Sequence, residues 1–145
     1  MILLGWLRNG WLVEHKTHAQ EIVDLLRVAD RDLADCSTPG LSADWRLNIA
    51  YNAALQVATA ALAASGYRAT RDARHYRVIQ SLAHTIGADS PLIAQLDQYR
   101  KKRNIGEYER AGLVSGQEAK EMVALAHRLR KTVKEWLRDN YPEFL

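Results

Sequence analysis

Between Ser42 and Gly66 the chain places alanine at 53, 54, 58, 60, 61, 63 and 64. Alanine is the strongest helix former. The larger apolar residues of the stretch, Leu47, Tyr51, Leu55 and Leu62, recur with Ala54 and Ala58 at helical steps. A helix with so little side chain on its remaining surface lets other helices come close, so it belongs at the centre of a helical packing. Ser42 is a suitable N-terminal cap and Gly66 a suitable stop.

Four more helices read out around it. Thr17–His18–Ala19–Gln20 has the pattern of a capping box, and Ala19, Ile22, Leu26, Ala29 and Leu33 follow as one seam that ends before Cys36–Ser–Thr–Pro–Gly40. A third helix is expected from Thr70 as N-cap, with Asp72 in its first turn, to Ile86–Gly87. Tyr76, Ile79, Leu82, Ala83 and Ile86 face inward, and Arg71, Arg74 and Arg77 form a basic edge beside His75. Ser90–Pro91 opens a fourth. Ser115–Gly–Gln–Glu118 is a second capping box, leading into the seam Ala119, Met122, Ala126, Leu129, Val133 and Trp136.

No run alternates polar and apolar residues as a half-buried strand does, so no sheet is expected. The fold class is all-α: an antiparallel up-and-down bundle of four to five helices over residues 17–145. Residues 1–16 read as an apolar segment that packs on the domain or on a dimer partner. Arg8 and Asn9 interrupt it, and it is too short for a membrane span. It lacks a basic start and a small-residue cleavage site, so no export signal and no membrane association are expected.

At 145 residues the chain suits one domain. A single cysteine, Cys36, excludes an intramolecular disulfide and a cysteine-built metal cluster, and fits a cytoplasmic location. A net charge of +3 permits an anionic partner without requiring one. His15 and His18 have no third ligand type beside them, and there is no Gly-rich phosphate loop or nucleophile elbow. No metal and no cofactor are expected.

Pattern and chemistry conflict at one place, Leu96 to Arg110. The apolar stripe Leu92, Leu96, Tyr99 advances to Arg103 and then Gly106. A buried unpaired charge is expensive, so Arg103 either reaches solvent at a helix edge or is held by partners. Asn104, Glu107 and Tyr108 lie within about one turn of it. Arg100 and Lys101, with Arg68, Arg71, Arg74 and Arg77, supply charge for a phosphate backbone; the competing reading is a solvated charged face.

Three blocks carry a family resemblance. They are Arg46 to Gly66, His75–Tyr–Arg–Val–Ile–Gln80, and Arg100–Lys–Lys–Arg–Asn–Ile–Gly–Glu–Tyr–Glu109. From about Trp45 to Trp136 the chain resembles a HEPN domain (higher eukaryotes and prokaryotes nucleotide-binding). The resemblance implies a helical bundle, commonly a homodimer with the signature motifs of both subunits facing one cleft. Active members are metal-independent ribonucleases of toxin–antitoxin and other defence systems. Some are encoded beside a minimal nucleotidyltransferase that neutralises them, and others bind RNA or nucleotides without cutting.

Arg103 and Asn104 match the arginine and polar positions of the family motif, but Tyr108 occupies the place of its histidine. A phenol with a pKa of about 10 is a poor base near neutrality. Three functions follow as expectations. The first is binding of RNA or a nucleotide at an Arg103/Asn104/Tyr108 cleft, with ribonuclease activity weak or lost and Arg100, Lys101, Arg74, His75 and Arg77 as phosphate contacts. The second is an active endoribonuclease toxin using the variant motif. The third is a non-catalytic subunit that docks a nucleotidyltransferase. His75 substitutes for the motif histidine if the third helix brings it near Arg103.

Overall fold

The structure, a computed structural model, describes residues 2–106 and 114–145, with the backbone alone at 104–106. The described residues form an all-α bundle of six helices: α1 (Ile2–Arg8), α2 (Ala19–Asp35), α3 (Ala43–Ala64), α4 (Arg74–Ser81), α5 (Ser90–Gly106) and α6 (Gly116–Asn140). A short 3-10 turn, Pro142–Phe144, closes the chain.

α3 is the central element. It packs against α2, α4, α5 and α6, and its buried residues include Leu47, Tyr51, Leu55, Leu62 and the alanines Ala50, Ala53, Ala54, Ala58, Ala60, Ala61, Ala63 and Ala64. With methyl groups on almost every side, it brings four helices onto one axis. Its large side chains carry most of the hydrophobic gain, about 1.5–3 kcal/mol for each one fully buried. Ser42 caps it by accepting from the Trp45 N–H at 3.2 Å. Gly66 ends it at φ +98, a conformation that glycine adopts without strain. α3 is also the one helix among the described residues long and apolar enough to cross a membrane; 72% of that window is buried inside the bundle.

The other seams hold with local differences. Ile22, Leu26, Ala29 and Leu33 of α2 are buried, while Ala19 is exposed. The cap of α2 is His18 rather than Thr17: its Nδ1 accepts from the Glu21 N–H, and the Thr17 hydroxyl turns to the Glu21 carboxylate instead. α5 is capped by Asp89, one residue before Ser90, whose Oδ1 accepts from the Leu92 N–H at 3.0 Å. In α6 the Ser115/Glu118 capping box forms as expected, and Ala119, Met122, Ala126, Leu129 and Val133 are buried. Trp136 is half-buried, its ring 5.3 Å from that of Tyr141.

One expectation fails around the start of the chain. A small antiparallel ribbon exists, β1 (Leu12–Glu14) and β2 (Tyr67–Ala69), pairing Leu12 with Ala69, Val13 with Arg68 and Glu14 with Tyr67. Leu12 and Ala69 share the buried face while Glu14 and Arg68 face solvent. Three-residue strands are too short to display a period of two. The ribbon, together with buried Leu3 of α1, ties residues 1–16 to the bundle.

The third helix is also shorter than expected. Thr70 is not a cap: its N–H and its hydroxyl both donate to the Trp11 carbonyl, continuing the ribbon. The helix starts at Arg74 after Ala73, which holds a left-handed φ of 52, and it stops at Ser81 with a turn through residues 82–86. Ile79 and Leu82 are buried, but Tyr76 is 39% exposed and Ala83 is exposed.

Candidate functional site

Three helices meet over the Tyr51 ring. α3 forms the floor, α4 supplies Arg74 and His75, and α5 supplies Arg100 and Arg103. Between them lies a hollow of about 260 Å³, lined by Arg74, His75 and Arg103 together with Asn52, Gln56 and Thr59 of α3. Arg74 and His75 also line a wider, more open hollow of about 580 Å³ with Arg71, Arg100 and the exposed Tyr76. No carboxylate lines either hollow among the described residues.

The position of Arg103 follows from the helical repeat. It continues the stripe of Leu96 and Tyr99, both buried, so its side chain is carried inward over the bundle rather than away from it. Its guanidinium stops 5.3 Å from the centroid of the Tyr51 ring, in the range of a cation–π contact. Its Nε is buried and has no hydrogen-bond partner among the described residues. The Tyr51 hydroxyl beneath is likewise buried without a partner. Burial pushes that phenol up to about 12, against the opposing pull of Arg103 and Arg100. Tyr51 therefore stays neutral, and its buried ring supports the Arg103 guanidinium without lining either hollow.

His75 stands 6.4 Å from the Tyr51 ring, centroid to centroid. Partial burial of its imidazole, then the positive charges of Arg103, Arg74 and Arg100, hold it below its usual pKa. A histidine in that state is neutral at physiological pH, with one ring nitrogen able to accept a proton. Arg100 donates to Asp97 at 2.8 Å and lies 5.5 Å from the Tyr76 ring. Burial raises the Asp97 carboxyl, but Arg100 and Lys101 outweigh it and bring it below the usual carboxylate range.

The residues singled out from the sequence divide into three groups. Arg103, Arg100, Arg74 and His75 come together at the cleft. Arg77 does not: its guanidinium lies 3.6 Å from the Trp11 ring centroid and clamps the N-terminal segment to α4. Lys101 is exposed and pairs with Asp97 at 3.4 Å, lining neither hollow. Tyr108 and Glu107 lie outside the described residues, and the side chain of Asn104 does too.

Sequence reasoning did not single out Asn52, Gln56 and Thr59. Their signal is visible in retrospect: polar residues at steps of four and three along a helix otherwise built of alanine and leucine. Asn52 is fixed by donating to the buried Asp32 carboxylate at 2.7 Å. Among the described residues no group of three or more His, Cys, Asp or Glu side chains is placed to hold a metal ion.

The cleft thus offers guanidinium groups for an anion and a neutral imidazole beside them, with the exposed Tyr76 ring lining the wider hollow. Arginine forks match phosphate oxygens in geometry as well as charge. No protein-family model matches the chain, and no curated protein matches it.

Proposed function

We propose that this chain is a HEPN-like helical protein that binds RNA or a nucleotide through its phosphates, in the cytoplasm and within a toxin–antitoxin or defence-type system, with ribonuclease activity weak or lost. The convergence of Arg74, His75 and Arg103 around one hollow above Tyr51 carries the reading. Arg103 is half-buried, its Nε is shut off from solvent and has no partner among the described residues, and a phosphate oxygen satisfies both its charge and its donors. The exposed Tyr76 beside Arg100 adds an aromatic surface to the basic one, a combination suited to single-stranded nucleic acid. A homodimer with two such clefts facing each other, and a nucleotidyltransferase as neutralising partner, belong to the same proposal through the family resemblance.

One observation favours the ribonuclease alternative. His75 shares the hollow with Arg103 and is held neutral there. It supplies the proton acceptor that a phenol at Tyr108 does not. Equilibrium binding of an end-labelled single-stranded RNA, with the same samples run on a denaturing gel, tests both readings. Binding that weakens about tenfold or more in Arg103→Ala, with intact RNA on the gel, supports binding without cleavage. Cleavage that disappears in both Arg103→Ala and His75→Ala moves the assignment to the enzyme. Absence of binding to RNA and to mononucleotides rejects the cleft as a phosphate site.

A further inference from the structure

The wall that α3 gives to the arginine cleft differs in kind from the wall opposite. From Ala50 to Ala64 the helix is buried at every position except Asn52, Gln56 and Thr59, and those three polar residues line the hollow of about 260 Å³. Arg74, His75 and Arg103 stand across from them. One wall is uncharged and polar, the other mainly cationic. A phosphate needs only the cationic one.

The hydrogen-bonding sense of Asn52 is set from behind. Its Nδ2 donates to Oδ2 of the buried Asp32 at 2.7 Å, and Arg31 donates to the other Asp32 oxygen at 3.3 Å. A carboxylate that accepts at both oxygens has no proton to offer, so the Asn52 amide must turn its nitrogen to it. The amide oxygen, Oδ1, is then the free end, with no other bond to the amide among the described residues. Thr59 is committed in the same sense: its hydroxyl donates to the Leu55 carbonyl at 2.7 Å and leaves lone pairs to the hollow. The α3 wall therefore accepts hydrogen bonds. It repels phosphate oxygens and attracts a donor.

That donor has to sit beside a phosphate, because Asn52 shares its hollow with Arg103, whose guanidinium rests over Tyr51, the residue before it. In a nucleic-acid strand the ribose 2′-hydroxyl meets this condition: it is carried on the carbon next to the one that bears the 3′-phosphate. The N–H groups of the bases lie on the far side of the sugar. A cavity of about 150 Å³ already holds a six-membered ring, so the hollow has room for a sugar beside the phosphate.

We propose that Asn52 reads the sugar: its Oδ1 accepts from the 2′-hydroxyl of the nucleotide whose phosphate lies on Arg103, and Asp32 is the positioning residue that holds the amide in that sense. The proposal rests on the phosphate reading of the cleft and adds a preference for ribose over deoxyribose, since the 2′-hydroxyl is the group that distinguishes them.

The experiment is fluorescence anisotropy of the full chain with three end-labelled single strands of one sequence: RNA, the 2′-deoxy strand with uracil kept, and the 2′-fluoro strand, which keeps the RNA sugar pucker but has no hydroxyl proton. It is run on the wild type, Asn52→Ala, Asp32→Asn, Arg103→Ala and the double variant Asp32→Leu/Asn52→Leu, which removes both buried partners together so that neither is stranded. Thermal melts confirm that each variant is folded. RNA is expected to bind the wild type about fivefold or more tightly than the other two strands. Asn52→Ala and the double variant bring RNA down to their level and leave the deoxy affinity unchanged; Asp32→Asn lowers the ratio. A 2′-fluoro strand that binds as RNA does, or an RNA preference that survives loss of Asn52, overturns the assignment. So does a loss in Asn52→Ala that is equal for all three strands, which marks a structural role alone. Equal wild-type affinities for the three strands, all weakened by Arg103→Ala, overturn the sugar reading and leave the phosphate cleft standing. No binding of any strand removes both.

Discussion

The Arg103 guanidinium and the His75 imidazole are placed by the same ring: Arg103 lies 5.3 Å from the centroid of Tyr51, and His75 lies 6.4 Å from it. A residue of α5 and one of α4 are thus placed relative to each other by a buried side chain of α3. Packing that serves the core also sets the spacing of the charged groups above it, so substitutions at Tyr51 report on both.

Tyr51→Phe keeps the ring and removes a buried hydroxyl that has no hydrogen-bond partner. The expected change in stability at pH 8 is zero to a gain of about 1 kcal/mol, because an unsatisfied buried polar group costs rather than contributes. The alkaline limb gives a sharper check. The folded-state pKa of Tyr51 is raised to about 12 from the usual 10. Its contribution is therefore fully present below pH 10 and is lost as pH rises through 12, by about 3 kcal/mol in all. Urea unfolding across this range should show the variant gaining on the wild type by that amount; parallel curves contradict it.

His75 should titrate below its ordinary value in an NMR pH series of the imidazole protons. Arg103→Ala should move it back toward 6.5, since Arg103 heads the charges that depress it after burial. Because the folded pKa is lowered, the associated stability is present above pH 6.5 and is lost as pH falls through the folded value. An anion bound in the cleft reverses the shift, so saturating inorganic polyphosphate should raise the His75 pKa. A ring that titrates identically with and without Arg103 rejects the juxtaposition.

Arg77 belongs to the fold rather than to the cleft. Its contact with Trp11, at 3.6 Å, holds the N-terminal segment against α4. Arg77→Ala should cost about 1–2 kcal/mol and shift tryptophan emission to the red as Trp11 meets water, with RNA affinity changed by less than about twofold. A loss of RNA binding as large as that of Arg103→Ala contradicts this assignment.

Much of the architecture is legible in the residue order because its signals repeat. The alanines and leucines of α3 and the seam from Ala119 to Val133 carry the helical period over several turns, so local noise averages out. The ribbon of Leu12–Glu14 and Tyr67–Ala69 has no such repeat. Its strands come from distant parts of the chain, and each makes sense only against the other. Thr70 illustrates the same limit: a threonine before a helical pattern suits a cap, but here its hydroxyl is claimed by the Trp11 carbonyl.

The site was half legible for a related reason. Arg103 stands out because it breaks an apolar stripe, and His75 and Arg74 stand out as charge beside a short helix. The partners inferred from nearness in sequence, the side chains of Asn104 and Tyr108, lie outside the described residues. Tyr51 meets Arg103 from another helix, and Asn52 and Gln56 line the same hollow. No spacing rule along one helix reveals a neighbour across the bundle.

A phosphate site above Tyr51 requires that Arg74 and Arg103 contact phosphate. The direct measurement is the salt dependence of single-stranded RNA affinity, by fluorescence anisotropy across a range of potassium chloride concentrations. Removing one phosphate contact lowers the slope of log affinity against log salt by about 0.7 for a single strand. Arg74→Ala and Arg103→Ala should each weaken binding and reduce the slope by that amount. Lys131→Ala, an exposed position on α6, a helix that lines neither basic hollow, should leave both unchanged. Slopes that stay the same in both arginine variants, or fall equally in Lys131→Ala, contradict a phosphate site above Tyr51.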